Sequence, residues 1–124
     1  MICVDSSSVI AYLDGSPGVD TELVDQAFRD QVAALSPVSV TELLSEPTLP
    51  AATRTTILEL PVLPLHDGFW ERAGLLRARV IRLRRKARIA DVLIAQNCLD
   101  NRTPLITRDR DFRNLAAVAR LRLL

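Results

Sequence analysis

Histidine occurs once and cysteine twice in the 124 residues, too few for a His/Cys zinc site. Cys3 and Cys98 offer neither a C-x-x-C pair nor a disulfide framework; Cys3 belongs to an apolar strand and Cys98 to an apolar helix pattern, and both read as core. Glycine occurs four times, never in a G-x-G pattern or in a run ahead of Lys-Ser/Thr. A dinucleotide-binding turn and a P-loop are therefore disfavoured. Lys86 is the only lysine, and no acid stands two residues after Asp5, which removes the usual partners of an Asp-based phosphotransfer site. Aromatic residues make up 4% of the chain, too few for a base-stacking platform. No apolar run approaches the ~20 residues of a membrane span, and no basic segment leads into a leader-like apolar stretch. The expectation is a cytoplasmic protein with no membrane partner. In the absence of repeats, low-complexity tracts or linkers, residues 1–124 read as a single domain.

What is present is a well-filled chain, 48% hydrophobic with net charge +1. Its charge is segregated. Residues 14–30 carry five acids and one Arg, whereas residues 72–88 carry eight basic residues and no acid. Arginine suits an anionic partner through bidentate contacts to phosphate or carboxylate; a GC-rich genome would give the same bias.

Met1–Ser7 is the stretch on which the rest is built. Ile2-Cys3-Val4 reads as a strand buried on both faces, and Asp5 stands where that strand gives way to a helix. The pattern predicts helices over 8–14 and from Pro17, then a strand candidate over 33–39 that Pro37 confines to an edge or a strand end. A helix opening at Thr41-Glu42, a helix over 51–60 and a short edge strand over 61–65 follow. The longest helix is predicted from an Asp67 cap to about Lys86, its buried stripe formed by Phe69, Ala73, Leu76, Val80, Leu83 and Ala87. A helix from Ile89 to about Asn101, a strand over 104–107, another helix and a last strand over 121–124 complete the chain. Such alternation predicts an α/β fold, a three-layer α/β/α sandwich around a mostly parallel sheet of four to five strands.

In that sheet Asp5, Glu42 and Asp109 each follow a strand and share its carboxyl edge. Right-handed crossovers place the second and penultimate strands on opposite sides of the first, which opens a ligand crevice there. Asp91, at a helix start among apolar neighbours, is the fourth acid. Each could instead cap or begin its helix. Four caps have no reason to converge, and convergence costs about 3 kcal/mol per carboxylate pair at ~5 Å and effective dielectric ~20. A divalent cation offsets that repulsion while keeping the acids ionised. An all-oxygen donor set selects Mg²⁺ or Mn²⁺, with phosphodiester hydrolysis as the typical chemistry.

Four motifs in order, Val4-Asp5-Ser6-Ser7, Thr41-Glu42-Leu43, Asp91-Val92-Leu93-Ile94-Ala95 and Thr107-Arg108-Asp109-Arg110-Asp111-Phe112, resemble those of the PIN-domain family and its VapC-type toxins over essentially the whole chain. The resemblance implies a metal-dependent endoribonuclease with Asp5, Glu42, Asp91 and Asp109 as catalytic acids, of which Asp5, Asp91 and Asp109 hold Mg²⁺ or Mn²⁺. Ser7 and Thr107 would hydrogen-bond the acids or bound water. Asp111 would assist them or merely cap its helix. RNA would be the substrate, with Arg77, Arg84, Arg85, Lys86, Arg88 and Arg108 as backbone contacts. A small basic antitoxin in the groove between the first two helices (about Tyr12–Asp30) and a homodimer are also implied. The family commonly has a Gly shortly before the third acid, where Lys86–Ala90 has none. A non-cleaving RNA- or protein-binding module and a DNA-directed nuclease are the alternatives.

Overall fold

The computed structural model describes residues 1–124. Three short strands, β1 (Ile2–Val4), β2 (Ala33–Ala34) and β3 (Leu105–Ile106), form a parallel sheet in the order β2-β1-β3. Single parallel bridges extend it on both sides, Leu35 with Val62 and Leu105 with Leu123. The edge strands expected over 61–65 and 121–124 are thus present as one-residue pairings at the expected places.

Side-chain alternation along so short a sheet divides the core. Cys3, Ala34 and Leu105 point to one face, where they meet Ala73, Leu76, Val80, Ile94, Cys98 and Phe112. Val4, Ala33, Leu35 and Ile106 point to the other, against Val9, Val24, Leu43 and Ile57. The first face is covered by α5 (Phe69–Arg82), α6 (Ile89–Asp100) and α7 (Phe112–Val118). The second is covered by α1 (Ser6–Leu13), α2 (Val19–Arg29), α3 (Pro37–Leu44) and α4 (Ala51–Glu59). With roughly 1.5–3 kcal/mol for each large apolar side chain removed from water, both faces are needed to hold β1 in the middle.

Several element boundaries differ from those expected, and the changes in two elements move functional residues. The strand expected over 33–39 stops after Ala34, because Ser36 and Pro37 start a helix. Ser36 is the N-cap, its hydroxyl accepting from the Val38 N–H at 3.4 Å, and Pro37 takes the first helical position, where its missing N–H costs nothing. Glu42 therefore lies in the second turn of α3 and not at a helix start. The long basic helix is shorter at both ends than the 67–86 expected. Gly68 caps it at φ +81°, and the chain leaves it after Arg82, with Arg84 at φ +56°. Arg84, Arg85, Lys86 and Arg88 accordingly stand on a loop. Leu83, expected in the buried stripe, is 57% exposed. Arg77 Nε donates to the Ala87 carbonyl at 2.9 Å and Asn114 Nδ2 to the Lys86 carbonyl at 3.3 Å, fixing this loop to α5 and α7. No helix is long and apolar enough to cross a membrane.

Candidate metal centre

Asp5 begins the site. It occupies the N-cap position of α1 with extended backbone, yet its side chain caps nothing. Its Oδ2 instead accepts from Ser7 Oγ at 2.7 Å and from Thr107 Oγ1 at 2.9 Å, and the residue is 4% exposed. Burial pushes its carboxyl above the usual range; the Ser7 and Thr107 hydroxyls and the Ser6 backbone pull it back, and the Asp109 charge raises it further. Thr107, directly after β3, has its hydroxyl fully committed. It donates to Asp5 and accepts the Asp109 N–H at 3.0 Å, so it links the ends of two adjacent strands.

Asp109 Oδ1 in turn accepts the Asp111 N–H at 2.9 Å, folding the loop so that both carboxylates approach Asp91. Carboxylate oxygens of Asp91, Asp109 and Asp111 lie within 4.8 Å of one another. Asp91 sits in the first turn of α6. Its Oδ2 is buried without a hydrogen-bond partner, and its carboxyl is pushed up to about 6, first by burial, then by the charges of Asp109 and Asp5; Arg88 opposes this and Glu42 adds to it. Glu42 comes from α3, where Oε1 accepts from Ser6 Oγ at 3.0 Å. Desolvation raises its carboxyl, the Ser6 hydroxyl lowers it and the Asp5 charge raises it. The four acids singled out from the sequence are thus within electrostatic reach of one another. Asp111, for which a helix-capping role was the other option, makes no cap bond and joins the close trio, while Asp5 and Glu42 lie outside it.

An orphaned, buried carboxylate oxygen beside two further acids fits a hard divalent cation: the donors are all oxygen, and no amine or guanidinium fills the gap at Asp91 Oδ2. Asp91, Asp109 and Asp111 could hold such an ion, with Asp5 and Glu42 beside them.

Sequence reasoning missed two partners. Ser6, a small residue inside the first motif, turns out to orient Glu42. Asp20, at the start of α2, accepts from Arg108 Nε at 2.9 Å and Nη2 at 3.1 Å, and from Ser8 Oγ at 2.8 Å. Arg108, expected as an RNA contact, is therefore a clamp holding the 107–111 loop against α2. Gly18 allows this approach, since a Cβ there would stand 2.6 Å from Asp20 Oδ1 and 3.1 Å from Arg108 Nη2. Arg84, Arg85 and Arg88 remain exposed near the acids' end of the fold. Replacing Asp20 with Ala should free the loop and lower divalent-ion affinity by roughly 10–100-fold, the usual cost of losing an outer support; calorimetric Mn²⁺ titration reads it.

Side chains pack across the expected groove between the first two helices. Tyr12 and Phe28 stack with centroids 5.4 Å apart, and Tyr12 Oη donates to Asp25 at 2.9 Å. An open cleft of about 590 Å³ lies along α1 toward α3 and α4, among Ile10, Leu13, Leu43, Leu49 and Ile57, with Glu42 in its wall.

A parallel sheet that gathers five acids beyond its carboxyl edge defines an α/β domain with a carboxylate centre. The chain belongs to the PIN-domain family, whose model matches residues 2–118. No curated protein matches it by sequence. Among solved structures, it is similar to VapBC2 from Rickettsia felis, crystallised with a promoter DNA fragment (16% identity, 100% of this chain and 98% of that one, TM-score 0.75). It is also similar to FitAcB from Neisseria gonorrhoeae (19%, 100% and 96%, 0.75). A third is VapBC-5 from Mycobacterium tuberculosis, described as a toxin-antitoxin system (21%, 99% and 96%, 0.67).

Proposed function

We propose that this protein is a Mg²⁺- or Mn²⁺-dependent endoribonuclease and the toxin of a toxin–antitoxin pair. The observation that carries the reading is Asp91 Oδ2, buried and unpartnered beside Asp109 and Asp111. Like-charged groups held this close are retained for function, since they work against stability. Membership of a family whose domains are generally nucleases supports the activity. The VapBC and FitAcB likenesses support the toxin role.

A bound divalent ion would activate water and stabilise charge on the phosphate. The chain's own groups do the rest. Ser7 and Thr107 hold Asp5 in place and, by donating to its carboxylate, favour the charged form against its burial. Ser6 orients Glu42 and favours its charged form in the same way, and the Thr107–Asp109–Asp111 relay sets the angle of the loop. Arg84, Arg85 and Arg88 would meet the RNA backbone through sequence-independent charge contacts. The apolar cleft beside α1 suits the nonpolar face of an antitoxin segment. Its wall residues Asp14, Glu42 and Glu46 favour basic flanks on that segment.

Purified protein should cut RNA with Mg²⁺ or Mn²⁺ and stop in EDTA. Asp5→Asn should lower the cleavage rate by more than roughly a hundredfold while leaving the circular dichroism spectrum unchanged. Undiminished cutting by that variant, or cutting in EDTA, rules the mechanism out; cleavage of DNA alone reassigns the substrate.

A further inference from the structure

Lys86 is the single lysine among 16 cations, and it makes the one ion pair of the acid cluster. Its Nζ stands 3.0 Å from Asp111 Oδ2, on a carboxylate whose oxygens approach those of Asp91 and Asp109. The placement is built by the backbone. Arg84 turns the chain out of α5 at φ +56°, and the Arg77 and Asn114 side chains hold the carbonyls of Ala87 and Lys86. The ammonium is thus delivered to the rim of the cluster while its side chain stays 51% exposed.

We propose that Lys86 is the resident counter-cation of this cluster, giving up Asp111 when a divalent ion binds. The inference rests on the metal reading above and concerns what the ion must displace. Five acids converge, and Asp91 feels the charges of Asp109, Asp5 and Glu42. Before an ion arrives, a positive charge at the rim reduces that repulsion. A half-exposed pair is readily broken, because water replaces it at little cost. An ammonium suits the task better than a guanidinium, being a point charge on a flexible stem without the two-pronged grip that arginine makes on a carboxylate. Lys86 therefore lowers ion affinity and supports the metal-free fold.

The test uses Lys86→Met, which keeps the stem and removes the charge. In calorimetric titrations without RNA at 0.1 M salt, the variant should bind Mn²⁺ about three- to tenfold more tightly than the parent. In an Asp111→Asn background the same change should alter affinity by less than about twofold. Melting in EDTA should begin lower for Lys86→Met than for the parent, and the gap should close in saturating Mg²⁺. Unchanged or weakened Mn²⁺ binding overturns the proposal; that is also the result if Lys86 serves only as an RNA contact. A melting deficit equal with and without Mg²⁺ overturns it too, marking a purely structural residue. Because no RNA enters these measurements, failure to cut RNA removes the nuclease reading and leaves this one to stand or fall on its own.

Discussion

Asp91→Asn should abolish cleavage and, in metal-free buffer at pH 7.5, make the protein more stable. Asn keeps the shape of the side chain and removes a charge that burial and the neighbouring Asp109, Asp5 and Glu42 all disfavour. The rise from the ordinary 3.8 to about 6 corresponds to about 3 kcal/mol as an upper limit. Solvent screening at this half-buried site reduces that to roughly 1–2 kcal/mol, or about 3–8 °C in melting temperature. The sign fixes the pH dependence. A carboxyl whose folded value is raised holds its proton better in the folded state, so its favourable contribution is complete below 3.8 and is lost as pH rises through about 6. The parent protein in EDTA should therefore melt at higher temperature at pH 5 than at pH 7.5, and Asp91→Asn should flatten that slope. Asp5 and Glu42, also raised, act in the same direction. Asp20 and Asp100 are lowered by Arg108 and Arg72, so they lose their contribution only at more acidic pH and leave this window clean. A variant that melts earlier than the parent at pH 7.5 contradicts the account.

Phe112→Ala should give the largest loss of stability. The ring is 0% exposed and packs in the core beneath α5 and α6, immediately after Asp111. Truncating a buried Phe costs about 3–5 kcal/mol out of a total of roughly 5–15, so the melting temperature should fall by on the order of 15 °C. The same ring anchors the end of the 107–111 loop, whose turn the Phe112 N–H closes onto the Asp109 carbonyl at 3.3 Å. Mn²⁺ affinity, titrated well below the melting range, should weaken as well. Phe112→Leu refills most of the volume and should recover most of both. An Ala variant with normal ion affinity would separate the core from the loop and refute the coupling.

The parts of this fold that were legible in the sequence are those in which local chemistry and tertiary placement agree. Ile2–Val4 and Leu105–Ile106 are short apolar runs ended by an acid or a hydroxyl, and a run of that kind can be satisfied only between two helical layers. Asp91 stood out because a carboxylate among Ile89, Ala90 and Val92 has no simple solvent role. The misplaced boundaries arose where one signal serves two structures. Ser36-Pro37 ends a strand and also begins a helix, and Glu42 moved with that choice. Arginines favour helices, so Arg84 and Arg85 read as a continuation of α5, and nothing local announces that Arg84 adopts positive φ. The Asp20–Arg108 clamp spans 88 positions and depends on Gly18 leaving room, which no nearby residue reveals. Asp111 approaches Asp91 because its N–H is tied to Asp109, a bond whose direction appears only in three dimensions.

The hydrogen bond from Thr107 to Asp5 joins residues 102 positions apart, whereas the residues lining the apolar cleft end at Ile57. On a ribosome adding roughly 5–20 residues per second, the whole cleft lining is synthesised about 2–10 seconds before Asp91 and Asp109 exist. The Asp91–Asp109–Asp111 centre is thus completed only after the cleft-lining segment, with Asp5 and Glu42, is already in the chain.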